Sequence, residues 1–498
     1  MTTEPAATTA DNNTASYSSP DAAIDAHLQA TRDRRLAEFI EFLRIPSISG
    51  LPEHAADCRR AAEWLAERLK TVGLEHVEVS KTGGHPIVYA DWLHAEGAGA
   101  GEGATAGAGA ATGATGAGAT TAVVYGHYDV QPVDPLEEWK SPPFEPVVVG
   151  DRILARGSSD DKGNIAIIVQ AVEAVLQTRG KLPINLRFVF EGEEESSSVS
   201  LEPWLEANKE RLTGDVALIC DSGFFAGNLP AITIALRGIM YAQIDVTGPY
   251  QDVHSGSYGG MVANPANALA HIIAGLKGPD GRVLIQGFYD DVVGLTPQDR
   301  ADFAALPFDE EAARAALEVP ELVGEPGFTT LERRSARPTL DVNGIWGGFQ
   351  GDGSKTIIPG RAHAKVSCRL VANQDPARIF AALRDHVARH TPPGVTVEVQ
   401  LLGDGRPSFS PRDLPANQAL ARSLKAVFGR EPVFLREGGS IPFVATFETL
   451  LHLPVVIMGF TPPDGNFHAP NEWMDLNNFE GGIRTMARFW DELAMLPR

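Results

Sequence analysis

Two kinds of hydrophobic spacing divide the chain. Apolar residues at helical intervals run through Ile24, Leu28, Leu36, Phe39, Ile40 and Leu43, and Pro46 closes the run. A second amphipathic stretch from about Ala55 to Val72 stops at Gly73, and a more apolar helix is predicted over 165–177. Short strand-like runs, as in strands covered on both faces, occur at 87–89, 122–125, 186–190 (with Arg187 inside it) and 217–220. Strand and helix alternate across this region, which predicts an α/β layer with a mixed, largely parallel sheet. Over 231–246 the runs become β-branched, at 232–234 and 243–246. A helix at 265–276 and strands at 362–370 and 395–401 follow, with a charged, Pro-broken helical excursion at 296–337. After about residue 400 the α/β texture returns. The predicted plan is one domain over 21–235 and 400–498, interrupted by an inserted α+β domain over 236–399.

Two segments fall outside this pattern. Residues 1–20 are rich in Thr, Ala, Ser and Asn, hold no Lys or Arg and lack an apolar centre. They read as a disordered tail, not a signal peptide. Residues 97–121 contain only Gly, Ala and Thr apart from Glu102, and nothing there can fill a core. This tract is expected to be a flexible loop joining two neighbouring strands.

Charge and cysteine content narrow the function. Against 42 Lys and Arg stand 64 Asp and Glu, a net charge of −22. Nucleic acid and anionic membrane both want a basic face, so neither is an expected partner. Three scattered cysteines (Cys58, Cys220, Cys368) cannot build a disulfide framework and favour a reducing compartment, the cytoplasm. No apolar run is long enough for a membrane span.

Five clusters could carry chemistry. His127 and Asp129 follow an apolar strand and share one face of an extended segment, and a carboxylate there can fix an imidazole's tautomer. Asp160 and Asp161 sit in the Gly-bounded turn 156–163; adjacent aspartates at a helix start also serve as caps. The acidic run 191–195 and Asp221 each follow a buried strand, where ligands of open α/β sheets collect. His468 lies in a loop before the final helix. Two histidines and at least three carboxylates in one layer point to divalent cations held by oxygen and imidazole. With no Cys-x-x-Cys, a thiolate site is not expected. Two ions about 3.5–4 Å apart need one bridging carboxylate and two terminal ligands each; they can acidify a shared water and polarise a carbonyl.

In order and in kind, six motifs resemble the aminoacylase/carnosinase-type family of di-metal peptidases, and within it the cytosolic non-specific dipeptidases. They are the segments 126–132, 157–163, 191–195, 252–256 and 438–442 and the His468 loop, so the resemblance runs from about residue 25 to the end. It implies that Asp160 bridges two divalent ions, zinc first with manganese or cobalt as alternatives. His127 and Asp221 would complete one site, and Glu195 and His468 the other. Glu194 would be the general base acting on a metal-bridging hydroxide, Asp129 the partner of His127, and the Asp160–Asp161 peptide cis. The inserted domain would be a ferredoxin-like lid and dimerisation domain. In a homodimer it would carry His254 across to the partner's oxyanion. Arg369 would clamp the substrate's free carboxylate, with Thr356, Ser440 and Gly439 as further contacts. The function implied is a metal-dependent dipeptidase acting on short peptides. An N-acyl-amino-acid deacylase or carboxypeptidase would use the same centre. A catalytically silent binding protein would have lost a ligand or the base, and all are present.

Overall fold

The computed structural model describes residues 22–96, 118–439, 441 and 443–497. The tail over 1–20, most of the Gly/Ala/Thr tract and Ser440 lie outside the described residues.

The larger sheet has nine strands. Eight follow one another in the order Glu75–Ser80, Ile87–Trp92, Asn185–Glu191, Thr121–His127, Val216–Cys220, Val455–Met458, Ala231–Leu236 and Ser408–Phe409, and Val433–Glu437 also pairs with Ala231–Leu236. Asn185–Glu191, Thr121–His127, Val216–Cys220 and Val455–Met458 run parallel, while both margins hold antiparallel pairs. Three of the central strands are buried at every position. Alternate side chains explain why. Ala122, Val124, Leu186, Phe188 and Leu218 join the core under the helices Ala22–Leu43, Ala55–Val72, Lys162–Arg179 and Leu476–Ala494. Val123, Tyr125, Val189, Ala217 and Ile219 join a second core under Leu201–Asn208 and Val444–Leu450. Gly73, at φ 103°, ends the second helix in the left-handed conformation that its missing side chain permits.

One expectation fails. The strands flanking the Gly/Ala/Thr tract are not neighbours, because Asn185–Glu191 lies between them. The crossover through Lys162–Arg179 returns the chain to that place, parallel to Thr121–His127, and the long connection lets the earlier strand stand one position away.

The second sheet has four antiparallel strands in the order Thr339–Gly347, Arg361–Leu370, Gly238–Thr247 and Thr396–Gly405. Burial alternates strictly along the two inner strands. The buried face meets the helices Pro265–Ala274 and Pro376–His390 through Leu269, Ile272, Ile379 and Leu383. The chain passes between the sheets at 236–238 and again at 405–408. A Cβ on Gly238 would lie 2.5 Å from the Gly405 carbonyl oxygen, so the two crossings touch. The three cysteines are free and buried. Among the described residues no helix is long and apolar enough to cross a membrane.

Candidate metal centre

Three parallel neighbours end at His127, Glu191 and Cys220, so the segments that follow them open on one edge of the sheet. His127 Nε2 lies 3.0 Å from Asp160 Oδ1 and 4.0 Å from Asp221 Oδ1. His468 Nε2 lies 3.0 Å from Asp160 Oδ2 and 3.3 Å from Glu195 Oε2. Ligand atoms of His127, Asp160 and Asp221 fall within 4.8 Å of one another, and so do those of Asp160, Glu195 and His468. Asp160 thus belongs to both sets and turns one oxygen to each imidazole.

The surrounding turns hold these groups rigidly. Asp129 is fully buried with Oδ1 3.3 Å from His127 Nδ1. The same carboxylate accepts the N–H groups of Glu194 at 3.3 Å and Glu195 at 3.1 Å, so it orients the histidine and pins the acidic turn together. The Asp160–Asp161 peptide is cis. Around it, Glu472 accepts the N–H groups of Gly157, Ser159 and Asp160 at 2.9, 2.8 and 3.0 Å and the Arg156 guanidinium at 2.8 Å. A Cβ on Gly163 would come within 2.1 Å of the Ser158 carbonyl oxygen, so this turn can lead only into glycine there.

Sequence reasoning assigned no role to Glu472. Its partners lie 312 to 316 residues upstream, beyond any local spacing, and the one available signal was Arg156, a cation at the start of the turn. Gln131, whose amide donates to Glu195 Oε2 at 2.7 Å, was also missed.

The electrostatics are those of a buried surplus of negative charge. Burial pushes Glu194 up to about 9, with Asp221, Glu195 and Asp160 adding to it against the pull of His127. Burial likewise lifts Asp221 to about 7. For His127 burial acts downward, but Asp129 and Asp160 outweigh it and hold the imidazole well above its ordinary range. Hydrogen bonds to Asp160 and Glu195 raise His468 to about 10. Divalent cations would neutralise this surplus, and the donors are all oxygen or imidazole nitrogen. Cys220, next to Asp221, points into the apolar core, and its thiol is pushed up by burial, so it offers no thiolate. The donor set therefore fits two hard or borderline divalent ions.

Glu194, Asp160, Asp221, His468 and Gly439 line one cleft of about 680 Å³, together with Pro307, Phe308 and Arg334 from the helical excursion. His254, Thr356 and Arg369 do not line it. His254 and Thr356 sit together on the insert, where Val253–His254 pairs with Ile357–Ile358 and Ser255 N donates to the Thr356 carbonyl oxygen. His254 is exposed, and its Nδ1 accepts the N–H groups of Gly256 and Ser257 at 3.0 and 3.2 Å. A neutral ring so placed carries its proton outward on Nε2. Arg369 lies on the open face of the four-stranded sheet, opposite Ile239.

Comparison with known proteins gives a consistent picture. Residues 123–492 match the family model described as peptidase family M20/M25/M40. The chain is 33% identical over 380 residues to the Cys-Gly metallodipeptidase dug1 of Schizosaccharomyces pombe, spanning 75% of this chain and 80% of that protein. It is 32% identical over 382 residues to the Beta-Ala-His dipeptidase of Homo sapiens, 76% and 75% respectively. Among solved structures, the M20 family metallo-carboxypeptidase Sso-CP2 of Sulfolobus solfataricus superimposes with a TM-score of 0.76 at 33% identity, covering 93% of this chain and 99% of that one.

Proposed function

This chain belongs to peptidase family M20/M25/M40, and on that premise we propose that it is a dipeptidase cutting short peptides with a free C-terminal carboxylate. The observation that carries the reading is Asp160, shared between two ligand sets beside a carboxyl that is not in either, Glu194. The dipeptidase names of relatives at 32% and 33% identity support the choice of substrate.

In this reading His127 and Asp221 would hold one ion, Glu195 and His468 the other, and Asp160 would be shared by both. When bound, such a pair lowers the pKa of a shared water and polarises the scissile carbonyl. Glu194 takes the water's proton and returns it to the leaving amine, a task suited to a carboxyl that its surroundings dispose to hold a proton. Asp129 keeps His127 in one tautomer. Zinc is the first choice, with manganese and cobalt as alternatives. The insert acts as lid and dimerisation domain, and His254 donates its outward Nε2–H to the oxyanion in the partner's site. Arg369, with Thr356, Ser440 and Gly439, receives the substrate carboxylate, for which a guanidinium fork is well shaped. Three free cysteines fit a cytoplasmic enzyme.

The likeness to a metallo-carboxypeptidase favours one second reading, removal of C-terminal residues from longer chains. Metal-loaded protein is offered a pool of dipeptides, tripeptides and N-acetyl amino acids, followed by mass spectrometry with a chelator control. Chelator-sensitive loss of dipeptides alone is expected. Loss of the acetylated compounds with dipeptides intact would move the protein to the deacylases. For the shared site, inactive His254→Ala and Glu194→Gln proteins should regain activity when their subunits are exchanged; no recovery refutes contribution in trans.

A further inference from the structure

Arg237 is the only residue between Leu236, which ends a strand of the large sheet, and Gly238, which begins a strand of the insert. From this crossing it turns back to the large sheet. Its Nε donates to the Gly438 carbonyl oxygen at 2.8 Å, and its backbone N–H donates to the Gly439 carbonyl oxygen at 3.1 Å. A Cβ on Gly438 would sit 2.8 Å from the Arg334 carbonyl oxygen and 3.3 Å from Arg237 Nη2, so the segment is pressed between two arginine residues where side chains have no room. On the insert side stands Arg369, whose strand partner Ile239 lies two residues beyond Arg237.

This is costly company for a cation. Burial, then Arg369, and more weakly Arg334, bring Arg237 down to about 10 against the pull of Asp341. Its Nη1 is buried and makes no hydrogen bond. A group kept only to fill space would be cheaper as an apolar side chain, since an unmet buried donor and like-charge repulsion both destabilise the fold. An anion arriving beside Arg369 would relieve that repulsion.

We propose that Arg237 is a positioning residue that ties the Gly438–Gly439 segment to the crossing between the sheets, so that this segment and Arg369 frame the substrate's carboxylate together. The proposal rests on the dipeptidase reading above, in which Arg369 and Gly439 meet the substrate. Both hydrogen bonds end on main-chain carbonyls, so Arg237 holds the backbone of the segment itself.

The test compares a dipeptide with its C-terminal amide on wild-type, Arg237→Lys and Arg237→Met proteins, with metal content and melting temperature measured alongside. Arg237→Met should raise KM for the free dipeptide about tenfold, the worth of a lost charged hydrogen bond, while kcat and the KM for the amide stay within about twofold. Arg237→Lys keeps the charge without the planar fork and should fall between. Equal losses on acid and amide, or a fall in kcat with KM unchanged, would mark a merely structural role and overturn the proposal. If Arg237→Met does not fold, Arg237→Lys decides, and an unaltered KM for the free dipeptide overturns it. A wild-type protein that ignores dipeptides, or treats acid and amide alike, fails the dipeptidase reading instead, before any variant is made.

Discussion

The two sheets solve opposite problems. In the nine-stranded sheet the central strands are buried on both faces, so a charged side chain in mid-strand must find its partner indoors, as Arg187 does at Thr213 Oγ1 (2.8 Å), and the remaining charges stand at strand ends. His127, the 194–195 turn and Asp221 all stand there, each fixed by a core that leaves no slack. In the four-stranded sheet one face is open, and His363, Lys365, Ser367 and Arg369 line up along a single strand at every second position. A charge can therefore sit in mid-strand, within reach of solvent and of anything that closes over it. Ion binding calls for groups held to a fraction of an ångström, and recognition of a small molecule calls for groups that it can reach. On the proposed assignment, each kind stands on the sheet that suits it.

This division can be broken by experiment. The largest effect belongs to the buried edge. Glu194→Gln should retain both ions by elemental analysis yet lose about 10²–10⁴ in kcat. Asp160→Asn should lose ions from both positions, with activity at background; one ion kept at full occupancy would deny that the residue is shared. Next comes the support beneath. Leu218→Ala in the central strand should cost about 2–5 kcal/mol in denaturant unfolding, whereas Ile345→Ala on the open sheet should stay within about 0.5 kcal/mol. Comparable costs would erase the contrast between the sheets.

The smallest effect lies at the seam. Glu448 accepts a hydrogen bond from Ser408 at 3.1 Å at the second crossing, yet burial raises it from 4.5 to about 7. The folded state thus binds this proton more tightly than the unfolded state does. Its contribution is whole below pH 4.5 and fades as pH rises through 7. Heating wild-type and Glu448→Gln proteins from pH 5 to pH 8 should show the wild type losing more melting temperature over that range. Parallel curves would remove Glu448 from the account.

The helix Ala55–Val72 was legible from the sequence, because apolar period and terminal glycine agree. Of the three metal-set carboxylates, Asp221 follows its apolar run directly, and Glu195 and Asp160 sit in short acidic or glycine-bounded turns that are easy to see. Strand order was not legible. Hydrophobic runs mark a strand but carry no record of its neighbour, so Asn185–Glu191 was not foreseen between its flanking strands. Thr339–Gly347 escaped notice as an edge strand with Asp341, Asn343 and two glycines, since an edge need not be apolar. Glu472 escaped because a carboxylate serving backbone N–H groups far upstream leaves no local trace.

That last carboxylate has a consequence for how the protein comes off the ribosome. The turn bearing Asp160 is complete in the first third of the chain, but the four hydrogen bonds that shape it wait for Glu472, and His468 emerges only just before it. Before this point is reached the set of Asp160, Glu195 and His468 lacks its histidine, and the turn that carries Asp160 lacks the carboxylate that its N–H groups donate to. The two residues that complete the site, His468 and Glu472, thus come more than 300 residues after the turn they serve.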